Sequence, residues 1–239
     1  MSVARGASIA VSIVRSLIIP RLLGPMSYGI WKTLDLIQNY AKFIDLGARA
    51  SLRREIPYAA GKKDGTRLLV VQDVALGGNC GAILLATVAT VVIALWVEEG
   101  ALRGALFIFL PLLFIEHVYA FLEHVLYGHR QFAAMARIDI GVRVLGATLA
   151  IALTWAFDLT GLIVGSAVTY LAGILIQLRR MDFPIRPRWS APVYRELVTV
   201  GFPAHLNGLL NNILVSIGRL FVLSFLGLTG MAITPWRRP

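Results

Sequence analysis

Charge is what this sequence has least of. Asp, Glu, Lys and Arg make up 15% of its 239 residues, whereas 57% are apolar and the mean hydropathy is +0.74. Soluble domains carry about 25% charged residues, and an apolar excess this large cannot all be buried in one water-soluble core. A disordered chain is excluded, and a soluble enzyme is not expected. Cysteine is almost missing: Cys80 alone cannot close an internal disulfide, so no disulfide scaffold is built. Acidic residues are the scarcer sign, 13 against 23 Lys and Arg, which leaves a net charge of +10. There is also no P-loop, no G-x-S-x-G and no zinc-enzyme helix motif. The chain therefore reads as a non-enzyme without a cofactor, and any active transport would draw on an ion gradient or a partner. What remains is a membrane protein.

A transmembrane helix needs roughly 20 mostly apolar residues. Such stretches fall near 7–23, 28–46, 68–97, 105–127, 138–157, 161–178 and 199–226. Arg15, Arg21, Lys32, Asp35, Lys42 and Asp45 interrupt the first two. The first is read as a retained helix, because Arg15 splits its apolar region and no small-x-small cleavage site follows. With the N-terminus inside, segments 1–6, 47–67, 128–137 and 179–198 hold fourteen Lys and Arg. The outer loops 24–27, 98–104 and 158–160 hold only Arg103, beside Glu98, Glu99 and Asp158. This is the positive-inside pattern of a multi-pass protein with a cytoplasmic N-terminus. It accounts for most of the net charge, so nucleic acid is not expected as a partner.

The chain contains a short self-similarity. Val11-Ser12-Ile13-x-Arg15 recurs as Val215-Ser216-Ile217-x-Arg219, and both copies run on to Leu-Gly, at Leu23-Gly24 and Leu226-Gly227. Transporters are often built from duplicated halves. On that reading 199–226 is the first helix of a second half, following a complete set of six in 1–198. The ending 227–239, with Arg237 and Arg238 on the side that the rest of the chain keeps free of Lys and Arg, then reads as the short atypical tail of a truncated or frame-disrupted product. A natural tail folding back on Trp236 is the alternative.

Ionisable groups at membrane depth cost roughly 2.5–3.5 kcal/mol each on insertion scales, so each needs a partner or an aqueous cavity. Lys32, Asp35, Asn39 and Lys42 recur at helical spacing, with Ile30, Leu34, Ile37, Ala41 and Ile44 on the other side. This face either lines a water-filled cavity, or belongs to an interfacial helix or to charges that only pair with one another. Arg15 and Arg219 hold equivalent places in the repeat. Converging Arg and Lys suit an anionic cargo, since guanidinium binds phosphate oxygens bidentately. Asp35 either holds Lys32 or carries a coupling proton, and a purely structural bridge to arginine competes with both. Glu116-His117 and Glu123-His124 repeat at seven residues, which fits interhelical pairing (to Arg143, for instance), a proton relay, or less well a metal. His205, Asn207, Asn211 and Asn212 in the last stretch either bond across helices or meet sugar hydroxyls. Gly77, Gly78, Gly81, Gly161 and Gly165 read as packing positions.

Several of these runs carry a family resemblance. Arg21-Leu22-Leu23-Gly24-Pro25-Met26-Ser27-Tyr28-Gly29-Ile30-Trp31 resembles the first helix junction of O-antigen and polysaccharide flippases of the multidrug/oligosaccharidyl-lipid/polysaccharide exporter superfamily. Asp45-Leu46-Gly47 with Leu52-Arg53-Arg54-Glu55-Ile56 is similar to the end of their second helix and its basic loop. Tyr127-Gly128-His129-Arg130-Gln131-Phe132 resembles the loop after their fourth helix, and Gly201-Phe202-Pro203 through Arg219 their seventh helix. The resemblance implies an all-α polytopic protein of the bacterial inner membrane, with two six-helix lobes around a central cavity. Members are about twice this length, so the chain would hold the N-terminal lobe and the first helix of the second. The implied cargo is a lipid-linked oligosaccharide of the undecaprenyl-pyrophosphate type, flipped among membrane lipids with possible ion coupling. The expected binding residues are Arg15, Lys32, Asp35, Asn39, Lys42, His205, Asn211 and Arg219. A cation-coupled multidrug exporter of the same superfamily, or a non-transporting fragment that assembles with a partner, are the alternatives.

Overall fold

The computed structural model describes the backbone of residues 2–181 and 183–233, and the side chains of 15–181, 183–214 and Ile217. Among these residues there are six helices and no strand: α1 (Ser2–Ala41), α2 (Ala48–Gly61), α3 (Gly65–Trp96), α4 (Gly100–Gly128), α5 (Phe132–Leu178) and α6 (Ala191–Ile233). The all-α expectation holds. Helices α3, α4 and α5 are long and apolar enough to cross a membrane.

Two of the helices are broken. Gly24, at φ 68° and ψ 171°, interrupts α1, and Pro25 opens the second arm, where its fixed φ suits a first helical turn. A Cβ on Gly24 would meet nothing within 4 Å, so the positive φ alone asks for glycine here. Helix α5 breaks at Phe157–Asp158, with Asp158 at φ 54° and ψ −135°. Its arms then run side by side: a Cβ on Gly161 would lie 1.9 Å from the Leu153 carbonyl oxygen, and one on Gly165 3.2 Å from that of Leu149. Small residues permit such close backbone approach. With arms counted separately, each of the seven apolar stretches falls on helix, although the second ends at Ala41 rather than at residue 46.

Ser27 Oγ donates to Asp158 Oδ2 at 3.3 Å, which joins the two breaks. Leu159, Thr160 and Ile163 face Gly100, Gly104 and Ile108 across a shallow groove. The three short connections therefore share one end of the bundle, and Trp96, Trp155 and Phe157 stand exposed there. Between the ends, Ile30 and Leu34 of α1, Ala86 and Ala94 of α3, Leu106, Phe109 and Leu113 of α4 and Ile163 of α5 form one apolar cluster.

The other end departs from expectation in three places. Residues 47–67, read as a basic loop, contain α2, whose Ala48, Leu52, Ile56 and Ala59 are buried while Arg53, Arg54 and Tyr58 are exposed. Hydropathy misses such a helix because its apolar positions are spaced for one face rather than run together. Helix α6 begins at Ala191, eight residues before residue 199, because the Ser190 carbonyl accepts from the Tyr194 N–H at 2.8 Å and Pro192 is tolerated in a first turn. Its helix also continues through Ile233, so the first part of the supposed tail 227–239 is helical and the rest lies outside the described residues. The segment before α6 is laid along α3. The Arg186 N–H donates to Asp73 Oδ1 at 2.9 Å and the Arg188 N–H to the Asp73 carbonyl at 3.1 Å. Gly77 makes room for the Arg188 backbone, where a Cβ would sit 2.2 Å from the Arg188 oxygen, and Gly78 for the Tyr194 ring.

Candidate functional site: a charged face inside an apolar bundle

The second arm of α1 has two faces. Ile30, Leu34 and Ala41 are buried in the main apolar cluster, with Ile37 and Ile44 packed against it. Lys32, Asp35, Asn39 and Lys42 are all half-buried. The arm is thus a core helix, not one lying on the surface, and its charges sit at the margin of the packed interior. Lys42 Nζ meets Glu116 Oε1 of α4 at 2.7 Å, with the lysine side chain 37% exposed and the glutamate 8%. Asn39 Nδ2 donates to the Asp35 carbonyl at 2.7 Å. The Lys32 ammonium lies 5.2 Å from the centre of the Tyr28 ring. Tyr170, from the second arm of α5, lies within the electrostatic reach of Glu116, Arg15 and Asp35. Four of the expected site residues (Arg15, Asp35, Asn39 and Lys42) are therefore linked to one region, together with Glu116 and Tyr170. Among the described residues, Glu116 Oε2 is buried without a hydrogen-bond partner.

His205 belongs to a different cluster. Asp45 accepts from the N–H groups of Gly47 at 3.3 Å and Arg49 at 3.2 Å, and pairs with the Arg49 guanidinium at 3.3 Å. Arg49 also donates to the Lys42 carbonyl at 2.9 Å. Tyr194 Oη donates to the Asp45 carbonyl at 3.2 Å, and His205 Nε2 to the Phe43 carbonyl at 3.0 Å. Gly47 and Gly201 touch backbone to backbone: a Cβ on Gly201 would lie 2.0 Å from the Gly47 oxygen. This corner latches α6 onto the bundle, and His205 is a strut in the latch. Asn211 lies exposed farther along α6, and the Arg219 side chain lies outside the described residues, as do those of the repeat at 11–13 and 215–216.

The paired Glu-His motifs find partners other than Arg143. Glu116 takes Lys42, Glu123 faces Arg53 at 3.8 Å, and Arg143 pairs with Asp139 one turn before it at 2.9 Å. His117 spans the Leu113 carbonyl at 2.8 Å and the Ala41 carbonyl at 3.2 Å, while His124 bonds back to Ala120 at 2.8 Å. Two contributors went unflagged in the sequence. Tyr170 could have been found as a residue with a polar tip inside an apolar stretch, and Arg49 as the i+4 partner of Asp45.

No family model, curated protein or solved structure matches this chain. Its chemistry must be argued from its own geometry.

Proposed function

We propose that the chain is a polytopic inner-membrane protein that moves a lipid-linked oligosaccharide of the undecaprenyl-pyrophosphate type across the bilayer. In this reading 1–198 is a six-helix lobe, 199–226 opens a second lobe, and the basic end with the N-terminus faces the cytoplasm. The observation that carries it is the half-buried face of Lys32, Asp35, Asn39 and Lys42, linked to Arg15, Glu116 and Tyr170 within apolar helices. Cationic groups at membrane depth are costly, so they pair or face an aqueous cavity, and they mark substrate pathways; Arg and Lys together bind phosphate oxygens. Two other features support the reading. The short connections carry Glu98, Glu99 and Asp158, while the basic segments gather at the opposite end. Beyond the latch, α6 shows an exposed apolar stripe of Phe202, Leu206, Leu210, Leu214 and Ile217, where a second lobe packs in the two-lobe architecture. The rival reading is a cation-coupled multidrug exporter of the same build.

The test uses the protein in vesicles loaded with a fluorescent lipid-linked oligosaccharide. Arg15→Gln combined with Lys32→Gln slows flipping about tenfold, equivalent to ~1.4 kcal/mol of lost barrier lowering, with unchanged protein level and helix content. Unchanged rates remove the anionic-cargo role, and drug efflux without lipid movement selects the exporter.

A further inference from the structure

Outside the α1 face, the basic end of the molecule holds a second concentration of charge with a definite shape. Arg53, Arg54 and Pro57 of α2, Tyr127 at the end of α4, Arg130 in the following turn and Phe132 at the start of α5 line an open cavity of about 470 Å³. Three guanidinium groups line it, and none of its lining residues is acidic. Glu123, which pairs with Arg53, stands 3.8 Å away, well beyond the 2.7–2.9 Å or so of a strong charge-assisted bond. Among the described residues, Arg54 and Arg130 form no ion pair. The Arg53 guanidinium lies 4.6 Å from the centre of the Tyr127 ring. Contact with a ring face leaves guanidinium N–H groups able to donate to an acceptor.

The backbone fixes where the third arginine stands. Arg130 adopts φ 58° in the turn that ends α4, where the N–H groups of His129, Arg130 and Gln131 return to the carbonyls of Val125, Tyr127 and Leu126. Helices that end this way usually place glycine at the left-handed position, because a Cβ is strained there. Here the left-handed position carries a guanidinium that lines the cavity, whereas Lys63 closes α2 in the same way at φ 56° outside it, so the turn places Arg130 without itself marking a site.

We propose that this cavity is a binding site for the phosphate group of an anionic membrane phospholipid. The arginines take the phosphate oxygens, while Pro57, Tyr127 and Phe132, the last of these half exposed, receive the apolar part of the headgroup region. Location selects a lipid over a soluble anion: the cavity sits where α4 and α5, both long enough to cross a membrane, reach their basic ends. Basic pockets between membrane helices hold anionic headgroups in this manner. The proposal rests on the membrane-spanning reading but not on the cargo, so lipid retention and flipping can fail separately.

Native mass spectrometry of the full chain, released from detergent with equal phosphatidylglycerol and phosphatidylcholine, tests the site. The unmodified protein retains the anionic lipid at least about tenfold over the neutral one, and Arg54→Gln with Arg130→Gln removes that preference. Lys62→Gln with Lys63→Gln, at exposed basic residues just past α2 and outside the cavity, leaves it in place. Equal loss in both variants means diffuse surface charge and overturns the site. Retention in the arginine double variant overturns it as well, and so does full displacement of the lipid by millimolar inorganic phosphate. Should the double variant fail to fold, Arg130→Gly provides the check. It relieves the left-handed backbone, so thermal stability in detergent holds or rises while the lipid preference falls severalfold, and an unchanged preference overturns the proposal.

Discussion

The two ends of this bundle are built by opposite means. At one, the chain turns in one or two residues, Gly24 and Phe157–Asp158, and a single serine–aspartate bond joins the two breaks. At the other, an amphipathic helix, a corner at Lys42–Gly47 and an extended segment are tied together by Asp45, Arg49, Asp73, Tyr194 and His205. The difference follows from what each end must bury. A tight turn leaves few backbone groups without partners, so it needs little besides the right φ. A long connection leaves many, and Asp45 and Asp73 satisfy amide groups that no helix does. Polar density at the basic end is thus partly a structural requirement. The groove of Arg53, Arg54 and Arg130 stands apart because its cations satisfy no such backbone group.

The largest effects should come from the two backbone crossings, and they should rank the ends. Gly161→Ala places a Cβ 1.9 Å from the Leu153 oxygen, and Gly201→Ala places one 2.0 Å from the Gly47 oxygen. The clashes are nearly equal, but the freedom to relieve them is not. The α5 arms are held along their length by Gly161, Gly165 and Gly146 and share a turn too short to give. Past Gly201, most of the described side chains of α6 are exposed, so that helix can swing outward. Gly161→Ala is therefore expected to cost about 3 kcal/mol and Gly201→Ala about 1–2 kcal/mol, within the range for overpacking. Thermal unfolding in one detergent ranks them, and the reverse order would break the account of a rigid short end and a looser latch.

Two aspartates sharpen the contrast with changes of opposite sign. Asp45 is buried and accepts from two backbone N–H groups and one guanidinium. Asp45→Asn keeps the shape but leaves buried Arg49 without its counter-charge, a loss of about 2–3 kcal/mol. Asp158 instead occupies φ 54° and ψ −135°, and its only side-chain bond among the described residues, to Ser27, is exposed and long. Asp158→Gly gives that turn a residue which adopts the geometry freely, for a gain of about 0.5–1 kcal/mol. Denaturation midpoints of both variants read the signs directly. A destabilised Asp158→Gly would mean that the Ser27 bond matters more than the backbone.

How much of this was legible depends on the kind of signal. The seven apolar stretches, the polar face of Lys32, Asp35, Asn39 and Lys42, and the separation of basic from acidic connections rest on local composition and period, and these survive without tertiary knowledge. Helix α2 was not legible to hydropathy, since Leu52 and Ile56 are its only large buried apolar residues. The Glu116–Lys42 pair was beyond the sequence because the two residues lie on different helices, and seven-residue spacing within α4 names the carboxylates without naming their partners. His205, polar in an apolar stretch, read either as a bond across helices or as a ligand contact. Its bond to the Phe43 carbonyl depends on the Gly47–Gly201 approach, which only the packed backbone reveals.

The smallest expected effect concerns pH and again separates the ends. His129 follows α4 at the basic end, stacks on Phe183 with ring centres 4.0 Å apart, and receives a hydrogen bond from the Gln72 side chain. Burial holds its pKa below the ordinary histidine value. The folded protein therefore resists protonation that the unfolded chain accepts, so the contribution is whole above the unfolded value of about 6.5 and is lost as pH falls below it. The Gln72 bond adds to the penalty, because the ring nitrogen that accepts it becomes a donor once protonated. Lowering pH from 7.5 to about 5.5 should reduce the melting temperature, and His129→Gln should make that slope measurably shallower because glutamine does not titrate. A slope unchanged in the variant would move the acid sensitivity away from this residue, and with it the argument that the strap carrying Phe183 clamps a neutral ring.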